Sequence, residues 1–251
     1  MIPNALTVPQ PPGPRPLLDA AWRLPNGEWE QGLEATLADC LYGTSIIPCP
    51  PDSEAPVVEA EYQTVGPVLY TVSAGQIRLK CSTLSRGDQT PLATAVWQQH
   101  LDYMLAADLA SNAVNPNLVG STVIDGSATL TEAFACLEAH AAANLRGGPA
   151  YIHLPPEQAV AGFGTLFDRG PDGGFYTAAG TRVVVSAGYT GLNAAFVTGP
   201  VRVGFHDTPE ALQTVDTSDN TVYLTAWGPI ITVIDACATA QVTLAAIVCA
   251  P

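Results

Sequence analysis

The chain has 251 residues and a formal net charge of −14, yet only 13% of its residues are charged and 47% are hydrophobic. That apolar content excludes an intrinsically disordered chain, in which high net charge goes with low hydrophobicity. Eight of the nine basic residues are Arg and the single lysine is Lys80, with no Lys/Arg cluster of the kind that grips nucleic acid.

A free monomer usually carries about a quarter charged residues. Two readings of the shortfall stand side by side: a lysine-avoiding, GC-rich genome, or a surface largely covered by other subunits. The start, Met1-Ile-Pro-Asn-Ala, has neither a basic nor an apolar region, so no secretory signal is expected. The late apolar run from Val242 to Cys249 is too short to span a bilayer. Cys40, Cys49, Cys81, Cys136, Cys237 and Cys249 show neither C-x-x-C nor zinc-site spacing, which favours buried reduced thiols. Cys40 and Cys49 would be the pair if a disulfide formed.

Residues 1–16 contain six prolines, which remove amide donors and fix φ, so this is an extended arm that needs a surface to lie on. Over residues 28–42, Trp29, Leu33, Leu37 and Leu41 recur every four residues, a helical or mixed pattern. Cys49-Pro-Pro-Asp-Ser-Glu54 reads as a rigid loop. Val65 to Val72 and Gln76 to Cys81 are strand-like runs separated by Ser73-Ala-Gly75, a turn signal, which predicts a long β-hairpin over about residues 57–86. A helix of about 30 Å is expected at residues 91–112, with Trp97, Leu101, Met104, Leu105 and Leu109 on one face. Asn115-Pro116-Asn117 ends it. Thr129-Leu-Thr-Glu132 is a capping box opening a second helix with a Leu130, Phe134, Leu137, Ala141 stripe, stopped by Gly147-Gly148.

Ala150-Tyr-Ile-His-Leu154 is a buried-type strand, and Pro155-Pro156 opens a third helix expected to reach almost to Gly170. Beyond Thr181 the chain reads as β, with strands at 182–187, 200–206, 221–227, 229–236 and 241–248. Helices in the middle and strands at the end give an α+β class.

The sequence carries no enzyme signature. A phosphate-binding G-x-x-x-x-G-K-[ST] loop is excluded because Lys80 follows Leu79, and G-x-G-x-x-G after a strand, G-x-S-x-G and H-E-x-x-H are all absent. Gly162-Phe-Gly164 is read as close packing inside the third helix. His100, His140, His153 and His206 are spread over separate elements and read as surface or hydrogen-bonded histidines. Glu59 and Glu61 share a strand face without any sign of a sugar cleft. No catalytic residue, cofactor or metal is expected.

The order of elements (arm, hairpin, long amphipathic helix, second helix, strand, Pro-started helix, Gly-rich turn, closing strands) resembles the major capsid proteins of tailed bacteriophages, the Hong Kong 97-type fold. The likeness spans about residues 50–248. It is most specific from Glu132 to Asn220, through Ala150-Tyr-Ile-His-Leu-Pro155, Thr165-Leu-Phe-Asp-Arg-Gly170, Gly180-Thr-Arg-Val-Val-Val185 and Thr217-Ser-Asp-Asn220. Tyr70-Thr-Val-Ser-Ala-Gly75 with Cys81-Ser-Thr-Leu84 is similar to capsid proteins of actinobacterial phages.

The resemblance implies an N-terminal arm and lead-in over 1–56, an extended β-hairpin loop over 57–90, and a peripheral domain with spine helix at 91–119 and 206–251. The axial domain would be 120–205. It implies a shell subunit forming hexamers and pentamers of an icosahedral head around double-stranded DNA, assembled in the bacterial host cytoplasm. Portal protein and separate scaffold or decoration proteins would be partners, DNA would be met only by non-specific proximity, and no membrane is implied. Some members cross-link an extended-loop lysine to a peripheral-domain asparagine. Lys80 and Asn220 occupy comparable places, but Thr221 to Ile234 contains no Glu to take the amine proton. The arm is short, and no proteolytic maturation is expected. The rival readings are a phage tail-tube subunit, an encapsulin-like compartment shell, and a hydrolase without a recognisable motif.

Overall fold

The structure, a computed structural model, describes residues 15–25, 29, 33–36, 62–65, 67–78, 90–113, 122–145, 148–216, 221–234 and 238–245. Two large sheets, a two-stranded ladder and two main cores organise them.

The first core lies beneath α1 (Thr90–Ala113). Its predicted apolar stripe is the buried one: Trp97, Leu101, Leu105 and Leu109 are fully inaccessible and Met104 nearly so. They pack on a five-stranded sheet whose long member is β13 (Thr221–Val233). On one side β13 pairs antiparallel with β4 (Val68–Arg78); on the other it pairs first with β12 (Glu210–Asp216) and then with β11 (Arg202–Phe205). β11 and β12 thus act as one interrupted strand lying antiparallel to β13. Gly228 lies in the interruption, where an added Cβ would stand 3.2 Å from the Trp97 ring, so the missing side chain lets the helix settle on the sheet. Pro229 follows in the same gap, where the lack of an N–H costs a strand least.

The second core lies between α2 (Leu130–Leu145) and a seven-stranded sheet. The strand order is β5 (Thr122–Ala128), β14 (Ala240–Leu244), β10 (Ala194–Thr198), β6 (Tyr151–Leu154), β9 (Arg182–Val185), β8 (Phe175–Thr177) and β7 (Phe167–Arg169). Period-two alternation divides its central strands between the cores. Ile152, Val183 and Val197, in register with one another, join the α2 core. Val184 and Phe196, in register with His153, join the core under α1. Both faces of the middle of this sheet are therefore covered.

The capping box at the start of α2 forms as its spacing predicts. The Thr129 amide and hydroxyl donate to the Glu132 carboxylate at 2.9 Å each, and the Glu132 amide returns a bond to Thr129 Oγ1. Thr129→Ala should cost about 1 kcal/mol, a fall of about 2–4 °C in the midpoint of thermal unfolding. An unchanged melting curve would show that this cap is not used.

Several expectations are corrected. The turn at Ser73-Ala-Gly75 does not exist: these residues lie inside β4, which pairs with β13. Leu224 pairs with Gly75 and Thr225 with Ser73, so Ala74 is the extra residue of a β-bulge, and a small-residue run marks a bulge as readily as a turn. Residues 79–86 of the expected hairpin lie outside the described residues. The helical pattern around Leu33 gives way to β2 (Leu33–Thr36), which pairs antiparallel with β3 (Tyr62–Val65).

The Pro-started helix α3 is only Pro156–Gly162, and β7 occupies what was expected to be its second half. The Phe167 ring packs 2.9 Å from where a Gly162 Cβ would stand, and the chain turns at Gly164 with φ +77°. The Gly-Phe-Gly run is thus close packing at a helix end rather than within a helix. The break expected between 227 and 229 is absent, since β13 runs through it, and β5, β7, β8, β10 and β12 were not anticipated. Cys136, expected to be buried, is exposed on α2; the other five cysteines lie outside the described residues.

Candidate assembly surfaces and the buried polar hub

Lys80 and Asn220, the two residues singled out for a cross-link, lie outside the described residues, as do Glu59 and Glu61. The strands that flank the pair are placed: β4 ends at Arg78, β13 begins at Thr221, and these two residues are paired.

The four histidines stand on different elements. His100 is on α1, with its Nδ1 2.9 Å from the Val96 carbonyl; His140 is on α2; His206 follows β11 and meets Trp29 edge-on. Among the described residues no group of three or more His, Cys, Asp or Glu side chains could hold a metal ion.

His153 is wholly buried on β6, stacked on Phe196 with ring centroids 4.6 Å apart. Its Nδ1 is 2.8 Å from the Tyr189 hydroxyl and its Nε2 2.9 Å from Thr198 Oγ1. Thr198 spends its one hydroxyl hydrogen on the Gly199 carbonyl, so it accepts from His153 Nε2–H, and Nδ1 accepts the Tyr189 O–H. Burial drives the His153 pKa down to about 3 and holds Tyr189 well above the phenol range, so both are neutral. With no access to solvent, this histidine is a neutral joint within the core under α1, not a base facing a substrate.

Asp102 is the second buried polar centre and was not foreseen. From α1 its Oδ1 accepts the Leu17 and Leu18 amides at 3.0 Å each, and its Oδ2 accepts the Ser186 hydroxyl at 2.9 Å. Burial raises its pKa against the lowering pull of these donors. Ser186 caps the 3-10 turn Ala187–Tyr189, which touches α1 so closely that a Gly188 Cβ would stand 2.6 Å from Ala106 Cβ. One carboxylate therefore joins the arm, α1 and the segment after β9. Asp108, also raised by burial, accepts Thr232 Oγ1 at 2.6 Å and ties α1 to β13. Asp108 lies three residues after Leu105, so an acid on the apolar stripe was the available sequence signal.

From Asp102 the arm wraps its own subunit. Leu17 enters the core under α1, β1 (Trp22–Arg23) adds parallel to β11, and Arg23 pairs with Asp207 at 2.6 Å while lying over the Phe205 ring. Trp29 then covers the opposite face of the sheet, on Ile231 and Val233, where Gly204 leaves room for its indole. Over residues 15–25 and 29 the arm is thus part of its own fold.

Among the described residues, the large apolar side chains that stand open include Trp22 at the β1 edge, Leu69 and Leu212 on the sheet face away from α1, Tyr103 on α1, Val123 on β5, and Val160 on α3 with Phe163 just after it. Val160 is 83% exposed on a seven-residue helix, and the rings of Phe163, Phe167 and Phe175 meet just beyond that helix. Clustered exposed apolar groups mark contact surfaces.

No family model and no curated protein matches the sequence. Solved structures do match. The SrpI encapsulin complex of Synechococcus elongatus superposes with a TM-score of 0.56 at 10% identity, over 92% of this chain and 87% of that one. The capsid of an empty GTA particle gives 0.54 at 12% identity, over 92% and 90%. Gordonia phage Cozz gives 0.53 at 11% identity, over 95% and 89%. The chain has the Hong Kong 97-type capsid fold, an α+β architecture.

Proposed function

We propose that this chain is the shell subunit of a phage head, self-assembling into hexamers and pentamers of an icosahedral capsid around double-stranded DNA. The observation that carries the reading is a fold shared over about nine tenths of both chains with assembled shells. Sparse charge and open apolar groups at Trp22, Leu69, Leu212, Val160 and Phe163 suit a surface covered by neighbouring copies. The role is structural rather than catalytic.

The domain reading follows: α1 as the spine helix of a peripheral domain completed by 206–251, residues 120–205 as the axial domain, 57–90 as the extended loop, and the part of the arm before Arg15 reaching neighbours. Portal protein and scaffold or decoration proteins are the further partners. Lys80 and Asn220 are the proposed cross-link pair, and denaturing electrophoresis of particles tests it: ladders above the monomer mass support the bond, and monomer alone removes it.

Negative-stain microscopy of the expressed protein tests the main reading. Icosahedral shells, or hexamer and pentamer rings, are expected. Stacked tubes would favour a tail subunit, and a well-behaved monomer would end both readings. The likeness to an encapsulin favours a second reading, a compartment shell, and nucleic acid content of purified particles separates the two.

A further inference from the structure

One end of the seven-stranded sheet carries a row of which only Tyr151 leans on the core under α1, while Arg182 and Tyr176 belong to neither core. Tyr151 on β6 pairs directly with Arg182 on β9, and Arg182 pairs directly with Tyr176 on β8. In register, the three side chains share the sheet face that also carries His153 and Val184 one rung further along, and each is half-buried. They border a depression of about 560 Å³ that continues past Gly148-Pro149 to Glu138 on α2.

The acids at hand form no ion pair with Arg182, although Asp172 lies near enough to feel its charge. Glu138 receives the Thr177 and Thr181 hydroxyls at 2.5 and 2.6 Å, one on each oxygen. Asp172 receives the Gly174 amide and the Tyr176 hydroxyl. Among the described residues the ion pair formed is Arg23 with Asp207, and Arg182 has no carboxylate within 4 Å. A guanidinium flanked by two tyrosines in a concavity is the composition that concentrates binding energy at protein interfaces. It sits in a chain with 23 acidic residues against 9 Lys and Arg, so every further copy brings carboxylates in excess.

We propose that the Tyr151–Arg182–Tyr176 row is a contact point between copies of this chain, where Arg182 takes a carboxylate from a neighbouring subunit. The inference rests on the self-assembling reading above and adds to it the residue that anchors one contact. The planar fork of Arg182 suits two parallel bonds to a carboxylate, and the tyrosine rings shield them from water.

Arg182→Glu places like charges in that contact. The variant should keep the wild-type far-UV circular dichroism and raise the protein concentration needed for assembly by at least about tenfold, the scale of an interface hot spot. Assembly at the wild-type concentration, with wild-type protein forming shells beside it, overturns this inference alone. A wild type that forms neither shells nor rings overturns the self-assembly reading with it. Arginine modification by phenylglyoxal, read by mass spectrometry on unmutated protein, decides the matter even if the variant does not fold. Arg182 should react in dissociated subunits and be protected in shells, and equal reactivity in both states overturns the proposal.

Discussion

Replacing His153 with Phe should destabilise the dissociated subunit at pH 7 and remove most of the stability it loses between pH 6.5 and 4. At neutral pH the variant keeps the ring stacked on Phe196 but takes away the acceptor of the buried Tyr189 hydroxyl, a cost of about 1–3 kcal/mol. The pH arm follows from the depressed value of about 3 against 6.5 for a free imidazole. Between those values the unfolded chain binds a proton that the folded chain refuses. The His153 contribution is therefore complete above pH 6.5 and is lost as the pH falls, by about 1.4 kcal/mol per unit.

Asp102 and Asp108 act in the opposite sense. With pKa values raised by burial, their contribution is complete below the unfolded carboxylate value and is lost as the pH rises through the folded one. Wild type and variant share those two groups, so the difference between their stability curves isolates His153. Denaturant unfolding at pH 7, 6, 5 and 4 should show the wild-type advantage consumed within about one to two pH units. Parallel curves would mean that His153 is not held neutral in the fold.

The second large effect is expected at Asp102. Asp102→Ala strands three donors at once, the Leu17 and Leu18 amides and the Ser186 hydroxyl. We expect a loss of about 2–4 kcal/mol, roughly 5–15 °C in the unfolding midpoint for a chain of this size. The loss should be local first, because the arm amides regain water by leaving α1. Trypsin cleavage after Arg23 should then accelerate. Asp102→Asn keeps a carbonyl oxygen for both amides and turns its NH2 to Ser186, whose hydroxyl can accept instead. It should stay within about 1 kcal/mol of wild type and keep the protease resistance. If Asp102→Ala melts and resists trypsin like wild type, the arm is held by Leu17 packing, the β1–β11 pairing and Arg23 without need of Asp102.

Much of the local structure was legible because its causes are local. The α1 stripe, the Thr129 cap and the strand running into Pro155 each depend on residues within a turn or two of one another. The errors share a cause too. Ser73-Ala-Gly75 reads as a turn until β13 lies alongside and makes it a bulge, and Leu33 reads as helical until β3 pairs with its strand. The Gly162-to-Gly164 break was invisible because it depends on where Phe167 packs. Of the proposed contact row, single residues were in view, but nothing in the chain order puts Tyr151, Tyr176 and Arg182 side by side.

By itself, then, the sequence determined a chain poor in charge, without a phosphate loop, basic grip or catalytic motif, and with an order of elements that resembles a shell protein. Those are properties of composition and short-range periodicity, which survive without knowledge of partners. Only the tertiary structure decided that β11 and β12 pair as one interrupted strand with β13, that residues 15–25 and 29 of the arm wrap their own subunit, and that His153 and Asp102 are buried joints. The reason is distance along the chain: Asp102 meets Leu17 across 85 positions, and Asp108 meets Thr232 across 124. Whether a polar side chain is a joint or a reactive group depends on partners that only folding brings to it.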